Sequence, residues 1–381
     1  MPDLIASIFH LTDMHLLVDE SGQTRDDPLR RARLLVELAR KAPFSGVRGL
    51  CSGSMWHERK ALLALADTLP ALIARERQEV EEGTPVIALQ TGDVEALGSA
   101  APPALVSHEA FPSFAFVQNR LRPSSGADCW LDLYGNHDTW PGAYPPMRAR
   151  HAAINRARIA TIPDLHGPWP ELAPPLTGPT GIPVLLARLN SVSRTLLEET
   201  RATGRVSDHP PAETPLKQVL DELSALFDPW RGREAVRIVL MHHPPHAFKV
   251  EAGESLTTAD LVGAQELAER LAEDHVQLVI AGHRHKLDPP LQPGPEHRPA
   301  QPPLRAPTVQ LVAETPTQET VPSKGDTTSY DGVQRRSFAR YRLWSDRRTL
   351  TVQRTVFRYE RDEDEFVERP AQTLFAGIPL E

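Results

Sequence analysis

The chain reads as an α/β fold on three observations. Short apolar runs of strand length recur along it, segments of helical composition or periodicity stand between them, and several runs stop abruptly at glycine and polar residues. With 381 residues and 40% hydrophobic composition, it is long enough to bury a sizeable core. A net charge of -8 excludes a global pull toward nucleic acid or an anionic membrane, and leaves open only a local basic groove.

The first run, residues 4–11, leads into Asp13-Met14-His15. Residues 1–12 hold Asp3 and no basic stretch, so they read as a strand and not as a secretory leader. Residues two apart in extended backbone point the same way, so Asp13 and His15 can reach one ion together. Asp27 and Pro28 mark the cap and first turn of a helix over 29–41. Residues 58–82 are helical in composition, with Pro70 expected to kink or divide them. The next strand, 85–90, ends on Thr91-Gly92-Asp93. There the glycine permits a sharp turn and the close approach of an ion, and the Asp93 carboxylate has two oxygens with which to bridge two cations.

Residues 111–121 carry Phe114, Val117 and Leu121 at helical spacing, as in a crossover helix packed on a sheet. The mostly apolar run 130–134 then delivers Gly135-Asn136-His137-Asp138, an amide, an imidazole and a carboxylate, to a sheet edge. Residues 182–189 form another strand, followed by Asn190-Ser191, in which no chemistry is legible. Thr214 as cap and Pro215 in the first turn open a helix to 227, stopped by Asp228-Pro229. Strand 235–241 hands over to His242-His243-Pro244-Pro245-His246, where two prolines stiffen the loop around the imidazoles. A helix over 259–274 and a strand over 276–281 precede Gly282-His283-Arg284-His285, again with two imidazoles at i,i+2.

Residues 286–307 are proline-dense and polar, which predicts an extended surface loop. A strand at 308–312 follows; residues 337–344 and 350–359 alternate about Ser345-Asp346-Arg347-Arg348, predicting a hairpin near 337–359 that completes the second sheet. Its arginines, Arg340, Arg342, Arg354 and Arg358, share one parity within each strand and are expected on a solvated face, with a nucleic-acid stripe as the alternative. Cys51 and Cys129 are too few for a disulfide framework and read as two buried thiols. No run approaches the ~18 apolar residues that a membrane span needs, so the expected setting is cytoplasmic, with no membrane partner.

Taken in order, Asp13-Met14-His15, Gly92-Asp93, Gly135-Asn136-His137-Asp138, His242-His243-Pro244 and Gly282-His283-Arg284-His285 match D-x-H, G-D, G-N-H-D, H-x-P and G-H-x-H. On these motifs the chain resembles the calcineurin-like metallophosphoesterases, in pattern closest to phosphodiesterases of the cyclic-nucleotide type. The resemblance implies one metallophosphoesterase domain over 1–381, folded as a four-layer α/β/β/α sandwich with two facing mixed β-sheets and the motifs on loops at one end. It further implies Asp13, His15, Asp93 and His285 around one metal ion, and Asp93, Asn136, His242 and His283 around the other. His137 would stay unligated and face the substrate, with Asp138 holding its ring.

The cofactors so implied are two divalent transition-metal ions; oxygen and nitrogen donors without thiolate suit manganese, iron or zinc better than calcium. Such a pair lowers the pKa of a bridging water and yields a hydroxide for in-line attack on phosphorus. Two cations, two carboxylates and one hydroxide leave a formal charge of roughly +1, which a monoanionic diester neutralises; a dianionic monoester is tolerated once a protonated His137 is counted. The likeness of the His242-His243-Pro244-Pro245 and C-terminal segments to cyclic-nucleotide-type phosphodiesterases favours the diester. The expected function is therefore phosphodiester hydrolysis, on a small-molecule phosphoester such as a nucleotide. A nuclease acting on nucleic acid, a phosphomonoesterase and a non-catalytic protein-binding scaffold are the alternatives. The sequence names no protein partner, and the roles of His243, His246 and Arg284 stay open.

Overall fold

The computed structural model describes residues 2–14, 59–94, 116–139, 169–192, 204–206, 215–245, 261–283, 307–313, 316, 336–360 and 362–380; the side chains of residues 59, 60, 137 and 139 are not among what it describes. The helix expected at 29–41 and the loop expected over 286–307 fall outside these, except for Pro307.

Two mixed sheets make the core. The first contains β1 (Asp3–Leu11), β2 (Val86–Thr91), β3 (Cys129–Leu133), β12 (Ser337–Ser345), β13 (Thr349–Glu360), β14 (Glu365–Glu368) and β15 (Gln372–Pro379). Their order is β14-β13-β12-β1-β2-β3, with β15 on β13. β1, β2 and β3 are mutually parallel, and β12 runs antiparallel to β1. The second sheet has the order β11-β10-β8-β6-β4, with β5 on β6. Its members are β4 (Glu171–Leu172), β5 (Leu176–Thr177), β6 (Pro183–Arg188), β8 (Val236–Met241), β10 (Leu278–Ala281) and β11 (Val309–Val312), of which β6, β8, β10 and β11 are parallel. A two-stranded piece pairs β7 (Gly204–Arg205) with β9 (Leu261–Val262).

Strand periodicity explains the layering. In the second sheet Val184, Leu186, Val236, Ile238, Leu240, Leu278 and Ile280 join one apolar core with residues of the first sheet. The alternate residues, Leu185, Ala187, Val239, Met241, Val279 and Ala281, belong to a separate core. That second core is closed by α2 (Leu216–Phe227), through Val219, Leu223 and Phe227, and by α3 (Ala264–Glu273), through Leu267 and Leu271. Side chains two apart face one way, so continuous apolar runs are the signature of strands covered on both sides. On the first sheet lies α1 (Arg59–Glu79), which buries Leu62, Leu65, Leu69, Leu72 and Ile73. The result is the expected α/β sandwich of facing mixed sheets with helices outside.

Several expectations are corrected. One helix runs through Pro70 instead of dividing there, because the buried apolar stripe on both sides of it outweighs one missing backbone bond. The helix expected over 259–274 begins only at Ala264: Gly263, at φ +85, breaks the backbone, and Leu261–Val262 pair as β9. α2 starts at Leu216, with Pro215 in the extended cap position and not in the first turn. The 111–121 pattern is realised over its described part as Phe116 and a π-turn, Val117–Leu121, that runs into Arg122–Ser125. The hairpin joins the sheet of β1, and β14 and β15 extend it beyond what alternation predicted. Cys129 is half-buried and not fully buried, and Cys51 lies outside the described residues.

The hairpin arginines are the clearest correction. The register pairs Arg340 with Thr355 and Arg342 with Gln353, but Tyr341 with Arg354 and Ser337 with Arg358. Even positions of one strand therefore sit opposite odd positions of the other, which sends the two arginine pairs to opposite faces. No single stripe exists, and neither Arg340 nor Arg354 is solvated. Arg340 donates to Glu76 at 2.5 Å, and Arg342 donates to both Glu76 oxygens at 2.8 Å. Glu368 and Glu79 complete the cluster, which pins α1 to the sheet.

Burial by itself raises the Glu76 pKa, but hydrogen bonds from Arg342, the charges of Arg340 and Arg342 and the Ser7 hydroxyl outweigh it, holding the carboxyl below its ordinary 4.5. Its contribution to stability is therefore present above pH 4.5 and is lost as pH falls through the lowered value. Glu76→Gln should cost about 3 kcal/mol at pH 7, the low end for breaking a buried ion pair because Glu368 and Glu79 still face the arginines. In urea melts the difference from wild type should shrink as the pH falls below 4.5 and through the lowered value; a loss under about 1 kcal/mol at pH 7 would reduce the cluster to a surface pair.

Candidate metal centre

At the carboxyl ends of β1, β2, β3, β8 and β10 the chain turns out of the sheets, and the five turns meet. Asp13 follows β1, and its N–H donates to the Gly92 carbonyl after β2 at 2.9 Å. After β10, the Gly282 N–H donates to the His242 carbonyl at 3.0 Å, and the His283 N–H lies 3.0 and 2.8 Å from the two Asp13 carboxylate oxygens. The Thr12 hydroxyl donates to Asp13 Oδ2 at 2.6 Å. Asp13, Asp93 and His283 all take positive φ, at 52°, 55° and 71°. That region disfavours residues with a Cβ, so three such residues in one cluster mark a backbone held in place by what the site needs.

His242 lies at the centre. Its Nδ1 donates to the Thr91 carbonyl at 2.8 Å, and a carbonyl can only accept, so the proton resides on Nδ1 and Nε2 is the nitrogen turned to the site. Nε2 is 3.0 Å from Asn136 Oδ1 and 3.3 Å from Asp93 Oδ2. Burial pulls the His242 pKa down, but the Asp93 carboxylate, with Asp13 and the Thr91 carbonyl, pushes it up to about 9. A cation at Nε2 therefore displaces a proton. Beneath it, His10 Nε2 and the Thr91 hydroxyl are 2.8 Å apart; burial drives His10 down to about 3 against the pull of Asp13, so this imidazole is neutral.

Ligand atoms of Asp13, Asp93 and His242 lie within 4.8 Å of one another, and so do those of His242, His243 and His283. Carboxylate and amide oxygens with imidazole nitrogens, all drawn in by turns without thiolates, fit a transition-metal ion. Three glycines make the fit possible: a Cβ on Gly92 would stand 2.5 Å from His242 Nδ1, one on Gly135 2.1 Å from Asp93 Oδ1, and one on Gly282 1.9 Å from the Thr12 hydroxyl.

Of the residues singled out in sequence, Asp13, Asp93, Asn136, His242 and His283 come together. His15 and His285 lie outside the described residues, as do His246, Arg284 and the side chain of His137. The Asp138 carboxylate, expected on the His137 ring, accepts the backbone N–H groups of Asp93 at 2.9 Å and Gly135 at 2.7 Å, and so ties two of the turns together. Sequence reasoning missed Ser191. Its hydroxyl oxygen accepts the N–H groups of His242 at 3.2 Å and His243 at 2.9 Å, while Asn190 Oδ1 accepts the Val192 N–H at 3.0 Å and shapes the turn. An Asn-Ser pair after a strand was the one available signal, and it is shared with countless ordinary turns.

No protein-family model and no curated protein matches the chain. Among solved structures it is similar to "GAP50 the anchor in the inner membrane complex of Plasmodium", with 9% identity over 99% of this chain and 89% of that one and a TM-score of 0.48. It is also similar to Vps29 of Chaetomium thermophilum (9% identity, 98% of each chain, TM-score 0.30). A third is the phosphopantetheinyl hydrolase PptH of Mycobacterium tuberculosis (10% identity, 86% of this chain and 99% of that one, TM-score 0.36). Likenesses this loose carry no argument about chemistry, which rests on the geometry. Among the described residues no helix is long and apolar enough to cross a membrane.

Proposed function

We propose that the chain is a two-metal phosphoester hydrolase acting on phosphodiesters. The observation that carries this reading is the meeting of Asp13, Asp93, Asn136, His242 and His283 at the ends of five strands drawn from two facing sheets. Asp13 and Asp93, with His15 and His285, are assigned to one divalent ion, and Asp93, Asn136, His242 and His283 to the other. When bound, such a pair activates a water and neutralises charge on the phosphoryl group.

The protein's part is to hold these donors with little left to order on binding. Thr91 sets the His242 tautomer, Ser191 anchors the His242-His243 backbone, and Asp138 clamps the Asp93 and Gly135 turns. His137, in the helical turn Asn136–Thr139, is assigned to face the substrate, where an imidazolium would stabilise phosphoryl charge or protonate the leaving oxygen. The charge of the ligand set alone matches a monoanionic diester, and a protonated His137 would accommodate a dianionic monoester as well, so the two esters are to be compared directly.

The test is hydrolysis of bis(p-nitrophenyl) phosphate beside p-nitrophenyl phosphate by protein stripped of metal and reloaded with manganese. Turnover should require the metal and favour the diester by at least about tenfold. A preference for the monoester would reassign the substrate class, and no metal-dependent hydrolysis of either ester would overturn the reading.

A further inference from the structure

His243, beside the assigned ligand His242, is fully buried. Its Nδ1 lies 3.2 Å from the Ser191 hydroxyl, and Gly204 of β7 packs against the same edge so closely that a Cβ there would stand 2.4 Å from His243 Cγ and 2.8 Å from Nδ1. The ring is therefore held by its Nδ1 edge. Its Nε2 is buried with no hydrogen-bond partner among the described residues, an arrangement costly enough to call for an occupant.

The surroundings indicate what that occupant is. The His243 ring centroid is 4.2 Å from that of His283 and 4.8 Å from that of His242, and one ring nitrogen of each of the three lies within 4.8 Å of the others. Three imidazoles crowded together, those of His242 and His243 fully buried and that of His283 partly so, repel one another if charged, and have lone pairs to share if neutral. A cation between them satisfies all three.

We propose that His243 is a further metal ligand, its Nε2 joining His242 and His283 on one ion, so that this half of the centre is a three-imidazole site. Coordination at Nε2 requires the tautomer with its proton on Nδ1, facing the Ser191 oxygen at 3.2 Å, and the Ser191 hydroxyl then turns its own proton away from the ring. Imidazole-rich surroundings suit zinc, iron or nickel, whereas manganese and magnesium favour oxygen. This half therefore prefers zinc to manganese. The inference rests on the two-metal reading above and goes beyond it in both ligand set and metal preference.

His243→Asn tests it, because the shorter side chain keeps a polar atom near Ser191 and deletes Nε2. Metal-free wild type and variant, matched for fold by circular dichroism, would be titrated with zinc and with manganese against a chromophoric chelator. The variant should lose at least about tenfold in zinc affinity at one of two sites, and less for manganese. Equal zinc affinity in a folded variant would overturn the proposal while leaving the two-metal reading in place; no zinc binding by wild type would remove both. Should the variant not fold, zinc-soaked crystals of the wild type decide by anomalous scattering. His243 Nε2 within about 2.1 Å of an ion supports the proposal, and an Nε2 beyond about 3 Å from every ion overturns it.

Discussion

Asp93→Ala should abolish metal-dependent phosphoester turnover, with a loss of more than about a hundredfold, and should leave the fold intact. The Asp93 carboxylate stands 3.3 Å from His242 Nε2 and packs against Gly135, and it is the one ligand assigned to both ions. Its N–H remains bound to Asp138 whatever the side chain, so the turn keeps its anchor. Asp93 is also at φ +55, where alanine is less tolerated than aspartate or asparagine, so the alanine variant carries a backbone cost of about 1 kcal/mol unrelated to metal. Asp93→Asn removes that ambiguity by keeping the shape and the backbone preference while deleting the charge. Both variants should lose turnover of bis(p-nitrophenyl) phosphate and bound metal together. A loss below about tenfold in the asparagine variant would sink the assignment of Asp93 as the shared ligand.

Gly135→Ala should be nearly as damaging, although it touches no ligand in name. The added Cβ would lie 2.1 Å from Asp93 Oδ1, 2.6 Å from the Asp93 nitrogen and 2.7 Å from His242 Cε1. Gly135 is not among the positive-φ residues, so its backbone is one that alanine can adopt and the effect comes through space alone. The neighbours that would have to give way are the two central ligands of the site, each already fixed from behind by Asp138 or Thr91. Metal affinity, followed by chelator competition, should fall by at least about a hundredfold, with turnover falling in step. Gly126→Ala is the matched control: at φ +69 it carries backbone strain of about 1 kcal/mol, with nothing within 4 Å of the new methyl group, and should lower stability without changing metal affinity. If Gly135→Ala bound metal as wild type does, the packing of the three turns would not be what shapes the centre.

What the sequence alone determined about this protein is local. A mostly apolar run such as 235–241, broken only by Arg237, is legible as a strand covered on both faces, and the residues that end each run, Gly92-Asp93, Gly135-Asn136, His242 and Gly282-His283, are legible as turn chemistry because each occupies a few consecutive positions. The α/β class follows from that reading, whereas the ligand assignments came from the resemblance that the motifs carry, and the structure brings Asp13, Asp93, Asn136, His242 and His283 together. The tertiary structure decided whatever depends on partners distant in the chain. The register of β12 on β13 splits the arginines between two faces and brings Glu76, more than 250 residues away, onto two of them. β14 and β15 exist because β13 offers them edges. Ser191 becomes an anchor only once β6 lies beside β8, and His243 becomes a buried imidazole with an unused nitrogen only once β7 closes over it. None of these has a periodic or compositional trace, because the energy that fixes them comes from burial and from hydrogen bonds across the fold, and those are set by the assembled sheets and not by neighbours in sequence.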